Sequence, residues 1–159
     1  VYSGDEQGFV GWGDDQAARQ DMFASQVVSY NNQPLLGTSS TTAVSNFNSA
    51  HPLYQAIAAL ARLRTEQPAL LHGLQVVRAA SKTPGLFAVS RFDSVTGTEV
   101  LLAFNTSTAS IDTQVVGDGK AESLTARHGN CAQAPTARGS YHIRLAALDY
   151  LVCVSGARP

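Results

Sequence analysis

The sequence predicts an α+β chain in which a glycine-punctuated region ends in one amphipathic helix and is followed by an antiparallel β-sandwich. Three observations carry this. Residues 52–66 repeat their apolar positions with the period of a helix. From Leu74 onward the period falls to two, in short runs separated by turn residues. Residues 4–50 show little periodicity of either kind. The chain has 159 residues, 44% of them apolar and 14% charged, a balance that supports a packed core and argues against disorder.

The opening stretch, Val1-Tyr2-Ser3, reads as half a strand that breaks at Gly4 into Asp5-Glu6-Gln7-Gly8. An unpaired strand needs neighbours already in place, so a strand at residue 1 suggests the tail of something longer. Gly4, Gly8, Gly11 and Gly13 then punctuate the chain, followed by Asn31-Asn32, Gly37 and the run from Thr38 to Thr42. An irregular segment of this length is usually functional or poorly ordered. Within it, Asp15 to Asp21 can form about two helical turns with Asp14 or Asp15 as N-cap.

The strong helix starts near Pro52, a favoured first-turn residue. Its arc of Leu53, Ala56, Ile57, Ala59, Leu60, Ala61 and Leu63 opposes Gln55, Arg62, Thr65 and Glu66, the pattern of a helix lying on a core. Arg64 falls within the apolar arc, where a bare charge is costly, so a carboxylate or helix-end carbonyls are expected beside it. Pro68 stops the helix. Strands are then expected at Leu74–Ala79, Gly85–Phe92, Glu99–Asn105, Ile111–Val116, Glu122–Arg127, Tyr141–Leu145 and Tyr150–Val154. Runs of this kind without intervening helices indicate a sandwich and place a domain boundary near residue 73.

Charge and composition exclude several functions. A net charge of −1 with no basic cluster gives no footprint for nucleic acid. No apolar run reaches the roughly 18 residues that would span a bilayer. The first residues lack the pattern of a signal peptide, so an export signal would lie upstream. The two cysteines, Cys131 and Cys153, have no zinc spacing. A surface of Ser, Thr, Gln and Asn suits a secreted or periplasmic protein, where a Cys131–Cys153 disulfide persists; two separate buried thiols are the alternative.

Several segments carry a family resemblance. Val1-Tyr2-Ser3-Gly4-Asp5-Glu6-Gln7-Gly8 resembles the eighth barrel strand of the alpha-amylase superfamily (glycoside hydrolase family 13), which typically ends in Gly-Asp-Glu. Ala18-Arg19-Gln20-Asp21-Met22-Phe23 looks like that family's Arg-x-x-Met-aromatic segment. His51-Pro52-Leu53-Tyr54 through Leu63-Arg64 and Pro68-Ala69-Leu70 is similar to its eighth helix. Phe87 to Phe92 and Leu101-Leu102-Ala103-Phe104-Asn105 look like the start of the C-terminal antiparallel domain. The likeness covers about the first two-thirds of the chain, and the last third matches only in type. Members acting on short oligosaccharides often carry a tryptophan where Phe23 stands, which favours an alpha-amylase-like enzyme.

The resemblance implies that residues 1–72 are the last β/α unit of a (β/α)8 TIM barrel and residues 73–159 a C-terminal β-sandwich. It implies a parent that cleaves α-glucosidic bonds of starch or malto-oligosaccharides with retention, through carboxyl groups about 5 Å apart. Those carboxylates come from barrel strands four, five and seven, so no catalytic residue is expected in this chain and the chain alone is expected to be inactive. Arg19, at the position of an arginine near the pocket mouth, is the expected substrate contact. A guanidinium fork suits a carboxylate or sugar hydroxyls. Trp12 is the second candidate, as a sugar-stacking ring or as a plug for its own loop.

Asp5 and Glu6 are adjacent on an extended chain and point apart, which suits structural or rim roles. Asp5, Glu6, Asp14, Asp15 and Asp21 lack the spacing of a calcium loop, so no cofactor or metal site is expected, though calcium is possible in the parent. His51, His72, His128 and His142 lie in no nucleophile-elbow context. The expected partners are an α-glucan or malto-oligosaccharide, the remaining barrel, and a second copy through the helix face. That face is expected to be covered by a homodimer or by residues 1–50, and an open face in an ordered lone chain would count against the resemblance. Other readings are a non-catalytic carbohydrate-binding or structural sandwich, and an unrelated α+β enzyme using Glu6 or Asp14.

Overall fold

The computed structural model describes residues 2–118, 123–131 and 139–156. They fall into two compact units, Val1–Arg62 and Leu63–Pro159. The fold is α+β with antiparallel sheets.

In the first unit the described residues of the expected opening strand, Tyr2 and Ser3, form no strand. Tyr2 pairs with no strand, Ser3 enters a turn, and Asp5–Gln7 is a single 3-10 turn; Val1 lies outside the described residues. A strand exists only through its ladder, and here the local carboxylates take the backbone donors instead: Asp5 Oδ2 accepts from Tyr2 N at 2.7 Å and Glu6 Oε2 from Gly4 N at 3.2 Å. Gly8 needs to be glycine. It has φ 77°, and a Cβ there would lie 2.3 Å from the Leu36 carbonyl oxygen.

Residues 11–50 are ordered by amide side chains more than by apolar burial. Gln7 exchanges two hydrogen bonds with the Asn48 backbone. Gln20 accepts from Gly11 N and donates to Gln33. Asn46 donates to the carbonyls of Thr41 and Val44, and buried Thr42 donates to Asn31. Each amide has both a donor and an acceptor end, so it can pin two strands of irregular backbone at once. The helix expected over Asp15–Asp21 is only a turn at Asp15–Ala18. Asp14 does cap it, accepting from Gln16 N and Ala17 N, but so short a segment cannot repay helix nucleation.

Two helices are α1 (Val28–Asn31) and α2 (Pro52–Glu66). No residue of α2 is buried: Leu53, Tyr54 and Leu60 are 36%, 40% and 44% exposed. Residues 1–50 therefore do not fold over the apolar arc, because their interior is built on polar pairing. Arg64 is itself exposed, so the buried charge that called for a partner does not arise.

The second unit begins with α3 (Pro68–His72) and continues through β1 (Leu74–Ala80), β2 (Leu86–Phe92), β3 (Glu99–Asn105), β4 (Ile111–Val116), β5 (Leu124–His128), β6 (Ser140–Leu145) and β7 (Tyr150–Ser155). These match the expected strands to within about two residues, with Glu122, Gly119 and Arg138 outside the described residues. The order β1-β2-β3-β7-β5 makes one sheet and β4-β6 the other, with every pairing antiparallel. Alternation assigns the faces. Ala88, Leu101, Ala103, Leu151 and Cys153 of the larger sheet share one core with Val115, Tyr141, Ile143 and Leu145 of the smaller. Val100, Val152 and Val154 point the other way and pack with Ala69 and Leu70 of α3 and with Leu63.

Two features lock this core. Cys131 and Cys153 form a disulfide across a separation of 22 residues. Glu99 is fully buried, and its carboxylate takes hydrogen bonds from Ser90 Oγ, from Asp118 N at 2.8 Å and from Arg78 Nη2 at 3.4 Å. Arg78 Nε also donates to Ser90 Oγ at 2.8 Å, so the charge pair and the hydroxyl form one closed network. Gly117 makes room for it, since a Cβ there would sit 2.7 Å from Tyr141 and 3.1 Å from both Glu99 oxygens.

Replacing Glu99 by Ala would strand the Arg78 charge and the Asp118 N–H, and is expected to destabilise the unit by about 3 kcal/mol. Urea denaturation checks this, and a loss below about 1 kcal/mol would show that the network is not held together by the carboxylate. Replacing both Cys131 and Cys153 by Ala is expected to cost about 3 kcal/mol on the chain-entropy account, with the same readout.

Candidate functional site

The residues singled out by sequence lie in the irregular part of the first unit. Arg19 follows the Asp15–Ala18 turn, and its Nη2 donates to Asp15 Oδ2 at 2.8 Å in an exposed i,i+4 pair. The guanidinium fork is thereby held at the surface with donors to spare, although an exposed pair of this kind adds little stability. Trp12 is 71% exposed, and its backbone is fixed by Gln33 Oε1. An aromatic ring this open does not plug its loop. Phe23 is also open and packs edge-on against Phe47, with ring centroids 5.0 Å apart. Met22 receives a weak hydrogen bond from Ser3 Oγ.

A separate cleft of about 440 Å³ is lined by Tyr2, Ser3, Glu6, Tyr54, Ile57 and Ala58. Neither Arg19 nor Trp12 lines it. Its one carboxylate is Glu6, which already accepts from Gly4 N, so the cleft brings no second acid to face it. Among the described residues no group of three or more His, Cys, Asp or Glu side chains is placed to hold a metal ion.

The histidines are dispersed. His51 is buried before α2 and its Nδ1 accepts from Leu53 N. His72 ends α3. His128 lies flat on Tyr150. His142 donates to Asp112 across the β4–β6 ladder, and Arg144 donates to the other oxygen of the same carboxylate at 2.8 Å. This grouping has two nitrogen donors on one acid and, among the described residues, no hydroxyl nucleophile on the histidine, so it is a polar clip rather than a triad. The His142 hydrogen bond, then that of Arg144, holds Asp112 below the ordinary carboxylate range.

Sequence reasoning missed Glu99 and the clip because each is an ordinary charged residue within a strand. Only pairing across the sheet reveals its partners. The one available signal was Glu99 itself, an acid opening the otherwise apolar run Val100–Phe104.

No protein-family model matches the chain. An alpha-amylase of Streptomyces lividans is 49% identical over 105 residues, which is 66% of this chain and 11% of that protein. The chain resembles the C-terminal portion of an alpha-amylase superfamily enzyme. It spans only about a ninth of that amylase's length. The fold agrees. The alpha-amylase of H. orenii superposes with a TM-score of 0.60 at 14% identity, covering 98% of this chain and 32% of that one. A cyclomaltodextrinase gives 0.58 at 16% identity, covering 74% and 20%. AmyP, solved with maltose, gives 0.55 at 20% identity, covering 77% and 25%.

The clip of this amylase-like chain has a pH signature. Because the folded pKa of Asp112 is depressed, its contribution to stability is complete above the ordinary value of 3.8 and is lost as pH falls through the folded value. Asp112→Asn is expected to flatten the acid limb of the stability profile below about pH 4. Thermal melts between pH 2 and 6 check this, and parallel acid limbs in the two proteins would refute it. Tyr141 provides the alkaline counterpart. Burial, then the charges of Glu99 and Asp118, push its hydroxyl up to about 12. The unfolded chain therefore releases this proton first, and stability falls between about pH 10 and 12. Spectrophotometric titration is expected to show that Tyr141→Phe loses a phenol step near pH 12 present in wild type and leaves the step near pH 10 unchanged, and a smaller pH 10 step in the variant would refute the shift.

Proposed function

We propose that this chain is the C-terminal part of an alpha-amylase-like glycosidase. In this reading residues 1–72 are the last β/α unit of a (β/α)8 barrel and residues 73–159 a C-terminal β-sandwich. The whole enzyme cleaves α-glucosidic bonds of starch or malto-oligosaccharides with retention. The observation that carries the reading is the 49% identity to an alpha-amylase. Neighbours of like fold add weight, since AmyP is solved with maltose and, as an E221Q variant, with maltotriose.

This chain contributes to binding and leaves the bond-breaking to residues elsewhere. Retention needs two facing carboxyl groups about 5 Å apart. The neighbouring acids Asp5 and Glu6 are each turned onto the local backbone, at Tyr2 N and Gly4 N. Arg19, tethered by Asp15, presents free guanidinium donors to sugar hydroxyls, and exposed Trp12 offers a stacking face. The disulfide supports an oxidising location, secreted or periplasmic.

Soluble-starch hydrolysis tests the reading. The chain alone is expected to be inactive, and the chain extended upstream by about 350 residues, enough for a barrel with insertions, is expected to be active. Turnover by the short chain, abolished by Glu6→Gln, would overturn it. In the extended enzyme Arg19→Ala is expected to lower kcat/KM about tenfold. An unchanged value would remove Arg19 from the substrate contacts.

A further inference from the structure

The outer face of the five-stranded sheet carries a row of rings that the loop site does not account for. Antiparallel register places Ala80, Phe87, Phe104 and Tyr150 on a single rung across β1, β2, β3 and β7. His128 of β5 closes the row by lying on Tyr150. Centroids are spaced 6.2, 6.1 and 3.9 Å, with interplanar angles of 26°, 19° and 7°. The rings stand as near-parallel plates, each supported by its neighbour.

Phe87 ends the row differently from the others. One face meets Phe104, while the next strand position, about 4.8 Å away, holds only the methyl group of Ala80. Phe87 is 40% exposed despite standing in a strand next to buried Ala88 and Val89. Ala80 is exposed and β1 is the edge strand, so no larger side chain of β1 stands beside Phe87 at this rung.

We propose that this edge binds a neutral polysaccharide, with a pyranose of an α-glucan laying its C–H face on Phe87 where a further ring would stand. The α-glucan assignment rests on the amylase reading above. The rim fits an uncharged, polyhydroxylated ligand. Ser81 and Thr83 of the β1–β2 turn and Thr106 after β3 are exposed hydroxyl side chains, with Lys82 among them. The two loops are tied to each other, since Gly85 N donates to Thr106 Oγ1 at 2.9 Å and Thr106 N to the Gly85 carbonyl at 2.9 Å. The ring is rigid because its stack is rigid, so little ordering opposes binding. A pyranose has an apolar face and a hydroxyl rim, the same division this edge presents.

Native affinity electrophoresis of the purified chain through gels containing soluble starch tests the proposal. Starch is expected to retard wild type and hydroxyethylcellulose to leave it unretarded. Phe87→Ala removes the platform, and Ala80→Phe sets a ring beside it while leaving the platform in position. Each is expected to weaken retardation about fivefold. Because Ala80 is exposed, its variant keeps the wild-type melting curve, which separates lost binding from lost folding. Wild type passing unretarded, or both variants retarded like wild type, would overturn the site. Equal retardation by hydroxyethylcellulose would overturn the α-glucan assignment. Concentration-dependent dimerisation abolished by Ala80→Phe, without starch retardation, would give the edge to a second copy instead. Starch hydrolysis by the extended enzyme is scored separately. Activity there without retardation here fails the site alone, and retardation through Phe87 without activity there fails the amylase reading alone.

Discussion

β3 and β7 lie about fifty residues apart in sequence and pair at the centre of the larger sheet, with both faces of the pair occupied. Leu101, Ala103, Leu151 and Cys153 fill the space between the sheets, while Val100, Val152 and Val154 meet α3. The rest of the second unit depends on this doubly buried ladder. β2 and β5 flank it, the smaller sheet packs on its inner face, and the disulfide is anchored in it. Strands buried on both sides have nowhere to slip, because a one-residue shift would exchange the two sets of side chains.

The first unit is held by a different kind of interaction. Its interior is mainly polar: Gln7, Gln20, Thr42, Asn46 and His51 are buried and hydrogen-bonded beside buried Leu35. Directional bonds fix irregular backbone that hydrophobic contact would leave free to rearrange. The same arrangement leaves Trp12, Phe23 and the α2 face outward, since none is needed to hold the loops together.

Legibility in the sequence followed the range of the interactions. The strands from Leu74 to Ser155 were readable because alternation and turn residues are local signals. Pro52 and the apolar arc likewise located α2. Three readings failed. The opening strand failed because Tyr2 and Ser3 have no ladder partner. The helix at Asp15–Asp21 stopped after one turn. α2 buries no residue fully, although Leu63 of its arc does pack against the core of the second unit. Arg19, Trp12 and Phe23 were found through motif resemblance, while Glu99, the Asp112 clip and the Phe87 row were not. Each of those three comes from side chains of different strands that register brings together, which spacing along the chain cannot display.

The position of β7 also shapes how the protein is made. Every other strand of the larger sheet precedes it in sequence, yet it occupies the place between β3 and β5. A chain emerging from the ribosome therefore completes β3 with one side still unpaired and β5 with its β7 partner still to come, and Cys131 emerges well before Cys153. Domains otherwise fold as units while synthesis continues. Here the larger sheet closes only once β7 lies between β3 and β5, so the edges of those two strands stay open to other chains until it is in place.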